Sequence, residues 1–169
     1  MSLATRLIYA RRGPFKRIVK ELLALTGIEF PADVEVGSEL IVAHRGFGLV
    51  VHPKTTLGKH VILYQGVTLG SAAPWDGPRA VVGIEVGDDV TICAGAKVLA
   101  PSGELLRIGK GTIIAANAVL TRSTGEDELW AGIPARLIKK LEPGTGRGHA
   151  TSRIDAENAA GDPLEVETA

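Results

Sequence analysis

The strongest constraint on the fold is a six-residue repeat of aliphatic side chains through the middle of the chain. From Phe30 to Leu120 the apolar positions fit neither the two-residue period of a strand nor the 3.6-residue period of a helix. They fit a period of six with three interruptions. Thirteen such positions are Val, Leu, Ile or Phe: Phe30, Val36, Val42, Val51, Leu57, Leu63, Leu69, Val86, Ile92, Val98, Ile108, Ile114 and Leu120. This period predicts short strands joined by tight corners, three to a triangular coil.

The residues around the repeated aliphatic agree with this interpretation. The next residue is often small, as at Gly58 and Gly87, and the fourth after it is small or β-branched, as at Val61 and Val90. Thirteen steps make about four coils, with the aliphatic side chains stacked along the axis. We therefore predict a mainly β solenoid domain over residues 30–133.

Composition excludes several other classes of protein. Lys+Arg and Asp+Glu both number 19, so the chain lacks the excess of positive charge that nucleic-acid binders carry. The single cysteine, Cys93, excludes an internal disulfide and suits a reducing compartment. No apolar run is long enough to cross a bilayer. We expect a cytoplasmic protein.

The two ends of the chain differ from the middle and from each other. Residues 1–29 are predicted to form a short helical cap, since Phe15, Ile18, Val19 and Leu22 recur at helical spacing. Residues 1–20 carry six bases and no acid, which we interpret as a solvated face, with membrane contact not expected. We predict a C-terminal helix over 134–141. Residues 142–169 are predicted to be a disordered tail, and 151–169 hold five acids and one base.

Three segments of the solenoid resemble a known family. Residues 27–70 read GIEFPADVEVGSELIVAHRGFGLVVHPKTTLGKHVILYQGVTLG, residues 95–99 read GAKVL and residues 131–136 read AGIPAR. These segments are similar to bacterial serine O-acetyltransferases and the related sugar O-acetyltransferases, which are hexapeptide-repeat acyltransferases. The resemblance covers about residues 27–141. It implies a left-handed parallel β-helix of about four coils, a homotrimer or a dimer of trimers, and transfer of acetyl from acetyl-CoA to a hydroxyl group of a small molecule.

The resemblance implies that His44 is the catalytic base. A hydroxyl group needs a base to remove its proton as it attacks a thioester, and imidazole has a suitable pKa. The repeat is interrupted beside this residue, because Val42 and Val51 are nine residues apart, three more than the period. The alternative is a histidine at a coil corner whose ring nitrogens are already hydrogen-bonded.

The resemblance also implies where coenzyme A binds, in a groove between adjacent prisms. Small residues would let the pantetheine arm lie along the backbone, and the matching positions are Gly70, Ser71, Ala94 and Ala116. Lys110 and Arg136 are candidate partners for its phosphates. Cys93, beside Ala94, is interpreted as a small buried residue.

The longest interruption, residues 71–83, is the candidate acceptor-binding loop. The resemblance implies that Trp75, Asp76 and Arg79 contact the acceptor at a subunit boundary, whereas the alternative is a loop packed on the neighbouring coil. Serine acetyltransferases have an acid where this chain has Ala43, and an Arg-His-Pro step where residues 81–83 read VVG. Both changes remove charged partners for a zwitterion. We therefore favour a saccharide or another small metabolite, with serine in cysteine biosynthesis as the alternative.

Two classes without acetyl transfer remain open. Carbonic anhydrases of the γ type use the same solenoid with zinc, and His44, His52 and His60 invite that comparison. However, they follow their repeat positions by two, one and three residues, so they face different ways, and no metal is expected. The second of these two classes is a non-catalytic structural trimer.

Overall fold

The structure is a computed structural model that describes residues 1–77 and 81–145. Two helices precede a stack of short strands. The helices are α1 (Leu3–Ala10) and α2 (Lys16–Leu25). The strands are β1 (Glu35–Val36), β2 (Ile41–Val42), β3 (Val50–Val51), β4 (Thr55–Leu57), β5 (Ile62–Leu63), β6 (Thr68–Ser71), β7 (Gly83–Val86), β8 (Thr91–Ile92), β9 (Lys97–Ala100), β10 (Leu105–Ile108), β11 (Ile113–Ile114), β12 (Val119–Leu120), β13 (Glu128–Ala131) and β14 (Arg136–Lys140).

The strands form three sheets that are the faces of a prism. Face 1 has the order β1-β4-β7-β10, face 2 has the order β14-β13-β11-β8-β5-β2, and face 3 has the order β12-β9-β6-β3. All pairs are parallel except β13 with β14. On face 2, Val42 pairs with Leu63, Leu63 with Ile92, and Ile92 with Ile114, so each repeat position lies on its counterpart one coil away. The predicted triangular coil is confirmed.

The repeated aliphatic side chains form the core. Twelve of the thirteen repeat positions are buried, and Val36 is half-buried. A second inward set includes Val61, Val67 and Val90, each with no exposed surface. Burying a side chain of this size contributes about 1.5–3 kcal/mol, so the stacked aliphatic residues are the main source of stability.

Tight corners between the faces explain the small residues of the repeat. Gly66 and Gly95 both have φ of +70°, and Asn117 takes the same corner with φ of +56°. A Cβ on Gly66 would lie 3.5 Å from the Gly95 Cα, so successive coils approach closely there. Glycine and asparagine are the residues that accept this left-handed backbone most readily.

The N-terminal cap contains two helices, of which the sequence predicted only the second. Ser2 caps α1, where its side-chain oxygen accepts a hydrogen bond from the Thr5 amide, and Ile8 is fully buried. In α2 the inward residues are Val19 and Leu23. The other apolar side chains of this helix, Phe15, Ile18, Leu22 and Leu25, are exposed.

A buried arginine ties this cap to the solenoid. The Arg11 guanidinium donates hydrogen bonds to the carbonyl oxygens of Ile8, Pro31 and Val34, and lies 4.9 Å from the centre of the Phe30 ring. Burial, with a smaller effect of Arg12, lowers the pKa of Arg11. Because its donors are used within the chain, this cation has a structural role.

The prediction of a C-terminal helix over residues 134–141 is wrong. Arg136–Lys140 form strand β14, which runs antiparallel to β13. The five side chains of β14 are exposed, so burial does not select a helix here. Without β14, the backbone donors and acceptors on the outer edge of β13 would be unpaired at the end of the stack. The β14 backbone forms hydrogen bonds with these groups.

A buried carboxylate fixes this closing hairpin. Glu128 accepts hydrogen bonds from the Trp130 indole at 2.8 Å and the Gly125 amide at 2.7 Å, and pairs with Lys140 at 2.8 Å. Burial by itself would raise the pKa of Glu128, but the hydrogen bonds from Lys140, Trp130 and Gly125 outweigh it and hold the pKa below its usual value.

We predict that Glu128→Gln lowers the free energy of unfolding by about 1–3 kcal/mol at pH 7, since it weakens three hydrogen bonds to a charged acceptor. A carboxyl with a depressed folded pKa stabilises the protein above its unfolded pKa, near 4.3, and loses this effect as the pH falls through the folded pKa. Urea unfolding at pH 7 and pH 4 should therefore show a smaller difference at pH 4. Glu126→Gln, at an exposed carboxylate, is the matched control. Equal effects of the two substitutions would contradict the role of Glu128.

Candidate functional site

One edge of the prism, between face 2 and face 3, carries the candidate base. We call it the His44 edge, formed by corner residues 43–49, 64–67, 93–96 and 115–118. Hydrogen bonds join these corners: the Gly66 amide donates to Phe47 O at 2.8 Å, the Gly95 amide to Gln65 O at 2.9 Å, and the Asn117 amide to Ala94 O at 2.9 Å. The corners therefore stack directly on one another.

His44 projects from the first of these corners. The three extra residues form a short 3-10 turn, Ala43–Gly46, in which His44 and Arg45 have φ of +48° and +61°. The His44 side chain is exposed, and its ring centre lies 5.8 Å from that of Tyr64. Neither ring nitrogen is hydrogen-bonded to another residue within 1–77 and 81–145, so the alternative of a corner histidine with satisfied nitrogens is not supported.

The structure brings two predicted cofactor residues to the same edge as His44. Ala94 and Ala116 occupy equivalent places on successive coils, linked through the Asn117–Ala94 hydrogen bond. Gly70 and Ser71 lie at the end of β6, on the far side of face 3. Within one chain, face 3 thus separates the two pairs of small residues.

The two predicted phosphate partners lie at different places on the prism. Lys110 is at a corner between face 1 and face 2, where its carbonyl oxygen accepts from the Asp127 amide at 2.7 Å. Arg136 begins β14 and donates to the carbonyl of Ala135 at 3.0 Å. Both side chains are exposed. Lys110 is away from the His44 edge, whereas Arg136 pairs with Ala131, which stacks beside Ala115 at the C-terminal end of that edge.

The candidate acceptor loop leaves from the edge between face 3 and face 1. Pro74–Asp76 form a 3-10 turn in which the Trp75 side chain is 80% exposed. The hydroxyl of Ser102, on the next coil, donates a hydrogen bond to the Asp76 carboxylate. Arg79 lies outside the described residues. The loop therefore begins at a different edge from His44 of the same chain, and Trp75 is not packed on the neighbouring coil.

Sequence reasoning missed two residues of the His44 edge. Tyr64 packs beside the imidazole. The side-chain oxygen of Gln65 is buried and has no hydrogen-bond partner within the described part of the chain. Both follow the repeat position Leu63, as His44 follows Val42, so an alignment of the coils could have identified them.

The other histidines lie at the other two edges of the prism. His52 Nδ1 accepts a hydrogen bond from the Lys54 amide at 3.1 Å, and burial and the Lys54 charge both lower the pKa of His52. His60 contacts the carboxylates of Glu39 and Asp89. Among the described residues, no three His, Cys, Asp or Glu side chains are grouped so that they could hold a metal ion.

Two further expectations concern Cys93 and the membrane. Cys93 lies on the His44 edge and is half-buried, and this burial raises the pKa of its thiol. A raised pKa disfavours the reactive thiolate.

No helix in the described ranges is long and apolar enough to span a membrane.

Comparison with known proteins finds serine acetyltransferases among the relatives of this chain. The serine acetyltransferase of Staphylococcus aureus strain Mu50 is 36% identical over 115 residues, which are 68% of this chain and 50% of that protein. The serine acetyltransferase of Staphylococcus epidermidis strain RP62A is 33% identical over 139 residues, 82% of this chain and 62% of that protein. The crystal structure of serine acetyltransferase from Brucella abortus strain S19 in complex with coenzyme A superposes with a TM-score of 0.64 at 26% identity, over 82% of this chain and 54% of that one. No family model matches the sequence.

These findings confirm the fold that the repeat and the motifs predicted. The solenoid is a left-handed parallel β-helix, and it belongs to the hexapeptide-repeat acetyltransferase family. Within that family the similarity is to serine acetyltransferases. The chain spans about half to three-fifths of the length of the relatives it matches.

Proposed function

We propose that this protein is an acetyl-CoA-dependent O-acetyltransferase with His44 as general base. The observation that carries the proposal is an exposed imidazole on the same prism edge as Ala94 and Ala116, whose two nitrogens have no partner within the described residues. The relatives are serine acetyltransferases, and one solved structure of the family holds coenzyme A. Three extra residues interrupt the regular stack beside His44. Functional side chains are often carried on such irregular segments of a rigid scaffold, which supports the proposal.

The reaction follows from the position of the imidazole. His44 takes the proton of the acceptor hydroxyl as its oxygen attacks the thioester carbonyl, forming the new C–O bond. The C–S bond then breaks, and the protonated His44 returns the proton to the leaving thiolate of coenzyme A. The Tyr64 ring lies beside the imidazole, with 5.8 Å between the two ring centres.

We propose that the pantetheine arm lies along the His44 edge. Ala94 and Ala116 leave the backbone of this edge accessible, since neither extends beyond Cβ. We propose that the Gln65 side chain turns to accept an amide N–H from the arm, since its buried oxygen has no partner within the described residues and a buried acceptor without one costs about 1–3 kcal/mol.

A homotrimer would complete the site. In a single chain, Gly70, Ser71, Trp75 and Asp76 lie across face 3 from His44. Packing the face 3–face 1 edge of one prism beside the His44 edge of the next would bring these residues to the acceptor. Lys110 and Arg136 are proposed to reach the phosphates in the same assembly.

Serine is the acceptor that the relatives favour. Ala43 and residues 81–83 differ from the charged residues of serine acetyltransferases, which favours a saccharide. The relatives described above are nevertheless serine acetyltransferases. Ala43 is buried, and Val81 is buried with its carbonyl bonded to the Lys54 ammonium at 2.7 Å. Neither position offers a charge to serine, so its carboxylate and ammonium would need partners from other residues such as Arg45 and Asp76.

We predict that His44→Asn lowers kcat by about 10²- to 10⁴-fold, the usual contribution of a general base. Asparagine is chosen because it tolerates the left-handed backbone at this position. Release of the coenzyme A thiol measures the rate, and unchanged circular dichroism and sedimentation would show an intact fold. His60→Asn, at the edge between face 1 and face 2 and also in left-handed backbone, should retain activity. A variant at His44 with normal turnover would remove the base assignment.

We predict that Ala116→Trp weakens coenzyme A binding at least tenfold, because the indole would fill the space beside the backbone. Calorimetric titration with coenzyme A measures the affinity. Lys59→Trp places the same side chain at an exposed corner of another edge and should leave binding unchanged. Equal affinity of both variants would place the arm elsewhere.

We predict that serine is acetylated with a kcat/KM at least tenfold above that of homoserine and of a panel of monosaccharides. The same thiol-release assay at fixed acetyl-CoA gives these values. A saccharide that exceeds serine would restore our earlier interpretation of the acceptor, whereas thiol release with no acceptor preference would argue against a specific O-acetyltransferase.

A further inference from the structure

A groove lies between α2 and the chain that enters the first coil. Its volume is about 750 Å³, and its floor is apolar. The floor residues come from the helix and from the chain that enters the solenoid: Leu23, Ala24, Ile28, Phe30, Pro31, Ala32 and Val50. A groove of this size can hold several side chains of a peptide segment.

The rim of the groove is positively charged. Lys16, Arg17 and Lys20 line one side, all exposed, and none forms an ion pair with another described residue. Arg11 also lines it, but its donors are bound to backbone carbonyls. Glu29 is the one acid among the lining residues. The groove therefore combines an apolar floor with an excess of free cations.

We infer that this groove is the docking site of the chain's own acidic tail, residues 151–169. The tail carries Asp155, Glu157, Asp162, Glu165 and Glu167 against a single base, Arg153. Within it, Leu164 and Val166 alternate with two of these acids. Apolar side chains suit the floor and carboxylates suit the rim, so the two surfaces match in both respects.

The composition of the tail also supports docking in the groove. It has few large apolar side chains, so it cannot bury a core of its own. An apolar surface elsewhere in the protein is what its aliphatic residues can bury against. The charges on the groove and on the tail are opposite although the whole chain is neutral.

The tail is long enough to reach the groove. The last described residues follow β14, which closes the end of the prism opposite α1 and α2. Strands stack at about 4.8 Å, so the four steps from β2 to β13 span roughly 20 Å. The 19 residues from Thr145 to Leu164 can extend over about 60 Å. Because the tail is tethered, its effective concentration at a groove of the same molecule is high.

The test is zero-length cross-linking of the full chain with a carbodiimide, which joins a lysine amine to a carboxylate only where the two are in contact. We expect tail carboxylates to link to Lys16 or Lys20 at least fivefold more often than to Lys59 and Lys110, which are exposed lysines away from the groove. Added salt should reduce these links, because ion pairs at an exposed rim are screened. Mass spectrometry of the digested product identifies each pair.

A charge exchange makes the test specific. Lys16→Glu with Lys20→Glu should abolish the links, and adding Glu165→Lys with Glu167→Lys should restore them between the exchanged positions. Circular dichroism and the melting temperature check that the variants fold. Absent tail links, links spread evenly over all exposed lysines, or no recovery in the exchanged variant would each overturn the proposal. The outcome is independent of the proposed acetyl transfer.

Discussion

The inward stack of aliphatic side chains is the interaction on which the rest of this structure depends. Each side chain packs on its counterpart one coil away, as Val42, Leu63, Ile92 and Ile114 do on face 2. The same register lets each strand inside a face pair with the coils on both sides, while the strands at the ends of a face pair on one side. A strand of two or three residues has little stability by itself, and it persists because its neighbours fix both its core contacts and its backbone hydrogen bonds.

The dependence of the fold on this stack explains where residues beyond the six-residue repeat are tolerated. A shift within a coil would move aliphatic side chains out of the core, so extra residues are accommodated only at corners. The first interruption places His44 and Arg45 in left-handed backbone, which costs of order 1–3 kcal/mol for each such residue. The adjacent coils hold the turn in place through the Gly66–Phe47 hydrogen bond. Regular packing thus supports an irregular corner from which an imidazole reaches solvent.

The two ends of the prism are closed by different polar devices. At the N-terminal end, Arg11 gives its donors to backbone carbonyls and lies on Phe30. At the other end, Glu128 collects hydrogen bonds from Trp130, Gly125 and Lys140. Both charged groups are buried and fully engaged, as burial of a charge requires. Lys16, Arg17 and Lys20, in the groove beside α2, form no ion pair with another described residue.

The sequence by itself determined the coil, the core and the position of the interruptions, because a period of six is a local property that each corner repeats. It also singled out His44, through the interruption and the family motif. Tertiary structure decided which side chains share an edge: it joined Ala94 and Ala116 to His44 and separated Gly70, Trp75 and Lys110 from it. It also decided that Arg136–Lys140 form a strand, since the edge of β13 offered backbone partners that no local pattern reveals. These outcomes depend on residues distant in the chain, and short-range periodicity carries no information about them.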